Sequence, residues 1–441
     1  MSAAKPSPAI PTGTVNSRGP EVYAGPALII GLAGILVGLA GIGVGLGQGE
    51  PRYISSWLLG ISFWLSIGIG MLFITAIWYV FDAGWPIVLR RQFEHAISGM
   101  KYLGLLFLPL IGIILFSSQP GIVWEWMDPD LELYSGYTVA EDVLYQAKAP
   151  YLNVPFFLVR VVLYFAVFIG LAEYFRRTSF QLEKDGNVAH AKLARVVSAL
   201  GLPFLAFAAT FAAFDWFMSL QFHWFSTMYG VWFFAGSIRA ATAVGILIGI
   251  LLVAAGPLRG LFTRGHRYLL GCMLLAFTVF WAYIVFSQYF LIYNANIPEE
   301  TFWYNMRLYS KDGTGLNDWG WVLMSLVFFY FFFPFMVLLF YKTKVIVPRL
   351  AFIASWILVF HLVDLYYNVI PRKIPAEVTA KNPLGYTVTP VIGDPLSIFF
   401  DLGALVGIGG ICVWAFLNSM KQTEIIPVRD PRIEDSLNWH E

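Results

Sequence analysis

Several ionisable side chains lie inside long apolar stretches of this sequence, where a charge needs a partner, a cavity or a function. His361 and Asp364 are three residues apart, so they would share one face of a helix. Arg239 lies half-way along another apolar stretch, and Asp215 or Asp364 could be its acidic partner. Histidine titrates near neutral pH, so His361 with Asp364 could relay protons. A structural ion pair between helices is the alternative interpretation.

The candidate proton-carrying residues fall into two groups, which would be reached from opposite sides of a membrane. One group is expected near the cytoplasmic surface, and the other from the middle of the membrane outwards. Together they suggest two half-channels for protons, whereas ion pairing at the level of the lipid headgroups is the alternative for the first group. The candidates are Asp82, Glu94, His95, Glu173, Asp215, Arg239, His361, Asp364 and Asp401.

The elements that must position these residues are transmembrane helices. The chain has 441 residues, of which 58% are hydrophobic and 12% charged, whereas a soluble domain carries about 25% charged residues. Its mean hydropathy is +0.69. A helix needs about 20 apolar residues to cross a bilayer, so the sequence predicts an all-α polytopic membrane protein with about ten spans. Their approximate bounds are 26–47, 57–80, 100–118, 152–175, 195–217, 226–254, 267–293, 317–343, 348–370 and 396–418.

Basic residues are concentrated in alternate loops, which predicts the orientation of the spans. They follow the second, fourth, sixth and eighth spans, as in Arg90–Arg91 and Arg176–Arg177. Loops rich in Lys and Arg face the cytoplasm, so both termini should be cytoplasmic. We expect a flexible tail over 1–25, a transmembrane domain over 26–420 and a second cytoplasmic tail over 421–441, in a bacterial inner membrane.

The composition also limits the chemistry that this chain could perform alone. The net charge of +1 and the lack of a basic stripe exclude a nucleic-acid partner. Cys272 and Cys412 lie in apolar segments, and two thiols are too few for an iron–sulfur cluster, which needs four ligands. The sequence contains no CxxCH motif for haem attachment. We therefore expect no catalytic or metal-binding residues here, and any electron transfer would require partners or a diffusible carrier.

One stripe of the first span consists of small residues that would allow another helix to approach closely. Gly34, Gly38, Gly41 and Gly45 follow one another at helical spacing, which is typical of tightly packed transmembrane helices. The sequence leaves open whether the docking helix belongs to this chain or to another subunit.

Four sequence segments resemble a known family of membrane subunits. Residues 280–290 read FWAYIVFSQYF and run into YNANIPEE at 293–300. This segment resembles the seventh-helix signature of the NrfD/polysulfide-reductase-C superfamily of quinol-interacting subunits, and more closely that of the ActF family within bacterial alternative complex III. Supporting stretches are Trp85-Pro86 followed by RRQFE at 90–94, FDWFMSL at 214–220, and PVRDPR at 427–432. The resemblance covers nearly the whole chain.

The resemblance implies two four-helix bundles, formed by helices 2–5 and 6–9 and flanked by helices 1 and 10. It also implies a respiratory or photosynthetic quinol:electron-acceptor oxidoreductase complex in a lipid membrane. This chain would hold no covalent cofactor, and its ligand would be menaquinone or its quinol. Haem c and iron–sulfur clusters would belong to c-type cytochrome and iron–sulfur subunits, beside a sister NrfD-like membrane subunit. Candidate quinol-binding residues are Asp215, His223, Tyr229, Gln288, Tyr289 and Tyr293.

Other roles remain open at the level of the sequence. In the family the sister subunit is often considered the main quinol site, so this chain would be mainly a proton pathway or a scaffold. Its contribution would be quinol interaction, proton conduction or both. A stand-alone solute or ion transporter is the rival from another class, although the matched pair of broken helices found in many transporters is not evident. A purely structural membrane anchor is the third interpretation.

Overall fold

A computed structural model describes residues 19–133, 136–310, 315–375 and 386–439. Ten helical segments of these residues are long and apolar enough to cross a membrane, which confirms the predicted polytopic all-α fold. The helices are α1 (Ala24–Gln48), α2 (Pro51–Val80), α3 (Ile87–Ala96), α4 (Met100–Phe116), α5 (Val143–Lys148), α6 (Val154–Asp185), α7 (Ala189–Trp216), α8 (Tyr229–Ala255), α9 (Arg264–Ala295), α10 (Pro298–Leu308), α11 (Asp318–Ser325), α12 (Phe333–Leu339), α13 (Tyr341–Val345), α14 (Val347–Val369), α15 (Pro395–Met420) and α16 (Ile433–Leu437).

Two of the ten spans contain two α-helices each. The third span joins α3 to α4 through a 3₁₀ turn at Ile97–Gly99, and the eighth joins α11 to α12 through a π-helix at Leu326–Phe332. The strands β1 (Lys373–Pro375) and β2 (Tyr386–Val388) form an antiparallel pair between α14 and α15. Of the tail predicted to be flexible, residues 1–18 lie outside the described residues.

Successive spans alternate in direction, so the loops fall on two faces. We call the face where α2, α6, α8 and α15 end the C-terminal face, and the other the opposite face. The chain after α15 packs on the C-terminal face, where Arg90 binds the buried carboxylate of Asp430 and Ser436 donates to the carbonyl of Trp85 at 2.8 Å. The basic loops lie on this face, and its cytoplasmic location stays a prediction.

The contacts between spans divide them into two bundles. In the first bundle α2, α4, α6 and α7 pack together, and in the second α8, α9, α14 and the broken eighth span do so. This arrangement agrees with the bundles of helices 2–5 and 6–9 that the resemblance implied. The bundles meet where α2 crosses α8. A Cβ atom on Gly70 would lie 2.1 Å from the carbonyl oxygen of Ser237, so only glycine permits this backbone contact.

The glycine stripe of the first span docks against the last span of the same chain. A Cβ atom on Gly34 would lie 2.5 Å from the Cα of Gly407 in α15, and one on Gly31 would lie 2.9 Å from the backbone nitrogen of Ile411. Glycine therefore lies on both sides of the contact, as in close transmembrane helix pairs. This resolves the alternative that the sequence left open in favour of a helix of this chain.

Segment 87–99, which the sequence analysis assigned to a loop, is instead a buried helix and turn. Arg90, Arg91, Glu94 and His95 are each at most 5% exposed. Hydropathy misses α3 because its polar residues are paired with one another and with neighbouring segments instead of being covered by water. The predicted boundary of the third span at residue 100 is therefore too late.

Candidate functional site

Asp364 lies on α14 at the centre of the second bundle and is 3% exposed. Its carboxylate accepts hydrogen bonds from two indole N–H groups, at 3.1 Å from Trp232 of α8 and 3.0 Å from Trp281 of α9. Among the described residues, no Lys, Arg or His nitrogen lies within 4 Å of this carboxylate. A buried carboxylate held only by neutral donors is rare, because burying an unpaired charge is costly.

His361 lies one turn from Asp364 and links the two bundles. Its Nε2 lies 2.8 Å from the hydroxyl of Ser66 on α2, and its Nδ1 lies 3.1 Å from the hydroxyl of Tyr330 in the π-helix. A Cβ atom on Gly236 would approach the imidazole Cε1 to 3.3 Å, so a glycine in α8 makes room for the ring. The two protonatable residues that the sequence placed on one face are both buried in the core.

Arg239 contributes a fully buried guanidinium to the same region. Its Nη2 donates to the backbone carbonyl of Tyr330 at 2.5 Å, and its Cζ lies 3.9 Å from the centre of the Tyr330 ring. In a regular α-helix this carbonyl would accept from residue 334, which is a proline without an N–H. The π-helix and Pro334 therefore supply the acceptor that Arg239 uses. Its Nε and Nη1 have no partner among the described residues.

Neither acid considered as a partner of Arg239 forms an ion pair with it. Asp215 is bound by Arg160 of α6, whose Nε and Nη2 donate to the two carboxylate oxygens at 2.7 and 3.0 Å. Tyr164 donates to the same carboxylate at 2.7 Å. The pairing of Arg239 with Asp215 was thus wrong, because adjacent helices α6 and α7 place Arg160 closer. Asp215 instead forms a structural ion pair with Arg160 within the first bundle.

Hydrogen bonds continue from Asp364 towards the opposite face. One turn further along α14, Asn368 donates to the backbone carbonyl of Asp364 at 2.8 Å, and its Oδ1 accepts from the hydroxyl of Tyr229 at 3.3 Å. Tyr229 begins α8 and is therefore close to the opposite face. It was expected as a quinol ligand, but the structure places it on this polar line from the membrane centre.

A second buried polar cluster lies at the C-terminal face. Glu94 accepts from Tyr79 at 2.7 Å and from Ser179 at 2.5 Å, and guanidinium nitrogens of Arg90 and Arg91 lie 3.4 and 3.6 Å away. Two predicted proton carriers, Glu94 and His95, lie in this region. His95 Nδ1 lies 3.0 Å from the hydroxyl of Ser419.

The two clusters are separated along α8 by an apolar contact. The ring of Phe93 packs against Gly245, where a Cβ would lie 2.4 Å from the ring, six residues or about 9 Å along the helix from Arg239. Within the described residues, no hydrogen bond joins the Glu94 cluster to Asp364 or His361. Hydrogen bonds among the described residues therefore do not connect the C-terminal face to Asp364. In the other direction they run from Asp364 as far as Tyr229, which is 1% exposed, so both half-channels stay predictions.

Of the remaining candidates for proton transfer, Asp401 and Asp82 lie apart from both clusters. Glu173 is instead linked to His95 by hydrogen bonds through Arg176 and Ser419. Asp401 is paired with Arg52 at 2.5 Å near the opposite face, and Glu173 lies 2.8 Å from Arg176 within α6. Asp82 follows α2 with a side chain that is 51% exposed, 2.8 Å from Arg432. Although the sequence around Asp82 is apolar, the chain turns there with φ of +49° and directs the carboxylate outwards.

The candidate quinol ligands do not form one site. His223 lies 2.9 Å from Asp142 and 3.0 Å from the Lys373 ammonium in the loops of the opposite face. Burial and the Lys373 charge lower the pKa of His223 to about 4, against the influence of Asp142. Gln288 accepts from Ser226 at 3.0 Å and donates to Tyr304 at 2.9 Å. Tyr289 and Tyr293 stack with centroids 5.6 Å apart.

Several residues of the central site were not predicted from sequence. Trp232, Trp281 and Tyr330 were not among the candidate site residues, yet all three are buried beside Asp364 or Arg239. Their positions deep within apolar runs, and Pro334 four residues after Tyr330, are the signals that could have identified them.

Comparison with known proteins adds no further assignment, because neither a protein-family model nor a curated protein matches this chain. The family resemblance therefore rests on the quoted motifs, and the proton-transfer hypothesis on the geometry of the buried site.

Proposed function

We propose that this multi-pass membrane protein is a proton-conducting subunit of a quinol:electron-acceptor oxidoreductase complex of the alternative complex III type. The single observation that carries the proton part is Asp364, a buried carboxylate without an ion-pair partner among the described residues. The complex itself is proposed from the motifs at 280–300, 85–94, 214–220 and 427–432.

The surroundings of Asp364 suit a group that gains and loses a proton. Burial favours the neutral acid, whereas the two indole donors favour the carboxylate. Asn368 and Tyr229 extend the polar contacts towards the opposite face, and Ser66 and Tyr330 bind His361 one turn away. Hydrogen-bonding groups are therefore available to a proton between Tyr229, which is 1% exposed, and the membrane centre.

In the proposed complex, partner subunits would supply the redox centres. The sister membrane subunit, an iron–sulfur subunit and c-type cytochromes would contain the clusters and haems, and menaquinol would be the diffusible electron donor. This division of roles is consistent with a chain whose two cysteines lie on the separate helices α9 and α15. The apolar contact of Phe93 with Gly245 would have to open or hydrate if protons cross to the C-terminal face.

The decisive experiment compares Asp364→Asn with wild type in the purified complex, reconstituted into liposomes. We expect the complex to assemble and proton release coupled to quinol oxidation to be abolished. Asp82→Asn is the matched control, because this exposed carboxylate lies outside the central site, and it should leave proton release unchanged. Unchanged turnover and proton release in Asp364→Asn would refute the proposal.

The positions of the interrupted spans do not support the alternative function as a transporter. Transporters built from repeats often have broken helices at corresponding positions of the two halves. Here the interrupted spans are the third and the eighth, which are the second helix of the first bundle and the third helix of the second. A transporter should also function when purified alone, so solute or ion flux through the isolated chain in liposomes would favour that alternative.

A further inference from the structure

A cavity of about 380 Å³ lies between α2, α4, α8 and α15. Three residues of its wall, Gly68, Ala96 and Gly99, have a small side chain or none, so this chain does not fill the space beside them. Leu251 of α8 and Val413 of α15 also line the cavity and are 65% and 41% exposed. Both residues lie in transmembrane spans, so the cavity opens sideways towards lipid.

The wall of this cavity is apolar and mainly aliphatic, with residues such as Leu103, Leu247 and Ile248. The indole N–H of Trp64, which also lines it, already donates to the carbonyl of Leu405 at 2.8 Å. Among the described residues, no charged side chain lines the cavity. An apolar cavity stays dry, and side chains facing empty space lose dispersion contacts. An apolar ligand would restore contacts that the chain itself does not make.

The depth of the cavity corresponds to one leaflet of a bilayer. Along α8 its wall extends from Val244 to Leu252, three residues before this helix ends at the C-terminal face. This stretch of α-helix measures about 12 Å, whereas half of the hydrocarbon core measures about 15 Å. Leu417, another wall residue, lies three residues before the end of α15 at the same face. The cavity therefore suits an acyl chain whose headgroup lies at the C-terminal face.

Two exposed cations lie beyond this end of the cavity. Lys421 comes four residues after Leu417, so the two share one face of α15, and Arg259 lies in the loop after α8. Neither is within 4 Å of a carboxylate among the described residues. Glu21 of the first span also lies at this end, but its carboxylate packs against Gly19. Basic side chains at a membrane surface attract anionic lipid headgroups.

We propose that this cavity holds one acyl chain of an anionic phospholipid, with the phosphate group near Lys421 and Arg259. The apolar wall explains the chain, the depth explains the leaflet, and the two cations explain the charge of the headgroup. The site is independent of the proposed function, because it requires neither electron nor proton transfer. A bound chain would contact α2, α8 and α15 together, and would thereby stabilise the packing of the last span on both bundles.

Photocrosslinking of the purified protein in nanodiscs would test the proposal. The probes are phosphatidylglycerol and phosphatidylcholine with the same diazirine in one acyl chain, and the crosslinked residues are mapped by mass spectrometry. We expect crosslinks at 244–252 and 412–417, stronger with phosphatidylglycerol. Val413→Trp places an indole at the opening and should reduce them about tenfold, equivalent to losing about two buried methylene groups. Val406→Trp is the matched control, because Val406 is an exposed residue of α15 outside the cavity.

A double variant, Lys421→Gln with Arg259→Gln, tests the headgroup. We expect the preference for phosphatidylglycerol over phosphatidylcholine to fall about tenfold, because two cations near the phosphate are lost. Arg177→Gln with Lys192→Gln is the matched control. It removes the same charges from exposed positions on α6 and α7, which do not line the cavity, and it should preserve the preference.

Several results would overturn the proposal. Unchanged crosslinking in Val413→Trp, or equal crosslinking by the two probes in wild type, would exclude an anionic lipid held in this cavity. Suppression by unlabelled menaquinone would assign the cavity to an isoprenoid tail instead. Loss of the crosslinks in the intact complex would assign it to another subunit. None of these results depends on proton release, so they are distinguishable from failure of the proposed function.

Discussion

Asp215 and Asp364 are both buried carboxylates within transmembrane helices, yet their surroundings differ in charge. Asp215, in the first bundle, receives two hydrogen bonds from the Arg160 guanidinium and one from Tyr164. Asp364, in the second bundle, receives hydrogen bonds from two neutral indoles. The first acid is neutralised by a permanent cation, so its ionisation is part of the folded structure. The second acid has no cation within 4 Å among the described residues, so no ion pair fixes its ionisation.

This difference indicates which buried charge stabilises and which is available for proton transfer. A buried charge that loses a directly bonded partner destabilises the protein strongly, whereas neutralising Asp364 breaks no ion pair within 4 Å among the described residues. Removing the ion pair of Asp215 should therefore destabilise the protein strongly, whereas neutralising Asp364 should change its stability little. Substitutions at Arg160, Tyr164 and Asp364 test this comparison in order of decreasing effect on stability.

The largest loss of stability is expected for Arg160→Ala. It leaves the carboxylate of Asp215, whose side chain is inaccessible to solvent, without its cation, which should cost about 3–5 kcal/mol. Thermal unfolding of the purified protein in detergent would measure the change. The double variant Arg160→Met with Asp215→Leu removes both charges and should recover most of the loss. If Arg160→Ala unfolds at the wild-type temperature, the pair is not a structural requirement.

A smaller loss is expected for Tyr164→Phe, which removes one 2.7 Å hydrogen bond to Asp215 but leaves Arg160 in place. A hydrogen bond to a charged group contributes about 1.5–3 kcal/mol, and the same unfolding measurement applies. Tyr174→Phe on the same helix is the matched control, because the Tyr174 hydroxyl is buried without a partner among the described residues. It should be neutral or slightly stabilising. Equal losses in the two variants would contradict this view of Asp215.

Asp364→Asn should change the free energy of unfolding by less than about 1.5 kcal/mol, because an amide oxygen still accepts from Trp232 and Trp281. The comparison therefore predicts a variant that is nearly as stable as wild type but inactive in proton release. If Asp364→Asn instead unfolds as readily as Arg160→Ala, Asp364 is a structural charge like Asp215.

A third acid, Asp142, extends the comparison to the loops of the opposite face. His223 is hydrogen-bonded to it and to Lys373, and burial together with Lys373 lowers the pKa of His223 from 6.5 to about 4. Burial opposes ionisation of Asp142, but the bonds from His223 and the Tyr145 backbone outweigh it and lower the pKa of this carboxyl. Between pH 6.5 and 4, His223 is protonated more often when the loops have opened than when it is bound to Asp142 and Lys373. Lowering the pH over this range therefore weakens the contact between His223 and Asp142.

Hydrogen exchange of the backbone would detect this smallest effect. From pH 7 to pH 5, after correction for intrinsic rates, opening of the loops around Asp142 and His223 should increase up to about twentyfold. His223→Gln should remove most of the pH dependence, because glutamine does not titrate. Equal protection at both pH values would show that the imidazole does not control this contact.

The central site was only partly predictable from sequence. The unusual residues were recognisable, because Arg239, His361 and Asp364 interrupt long apolar runs. Their partners were not, since hydropathy reports how apolar a segment is and not which helix it faces. Arg160 was overlooked for the same reason, although it provides the cation that neutralises Asp215. The buried helix α3 was missed because its polar side chains are satisfied by contacts that span more than three hundred residues, such as Arg90 with Asp430.

The sequence by itself determined the number and approximate position of the ten spans, because crossing a bilayer requires a minimum length of apolar helix. It also determined where helical hydrogen bonding must fail, since Pro334 has no N–H to offer the Tyr330 carbonyl. Only the tertiary structure decided that Arg239 uses this carbonyl, that Asp215 is paired with Arg160, and that Asp364 is held by two indoles. These outcomes depend on which helices are neighbours, and that follows from packing between segments distant in sequence.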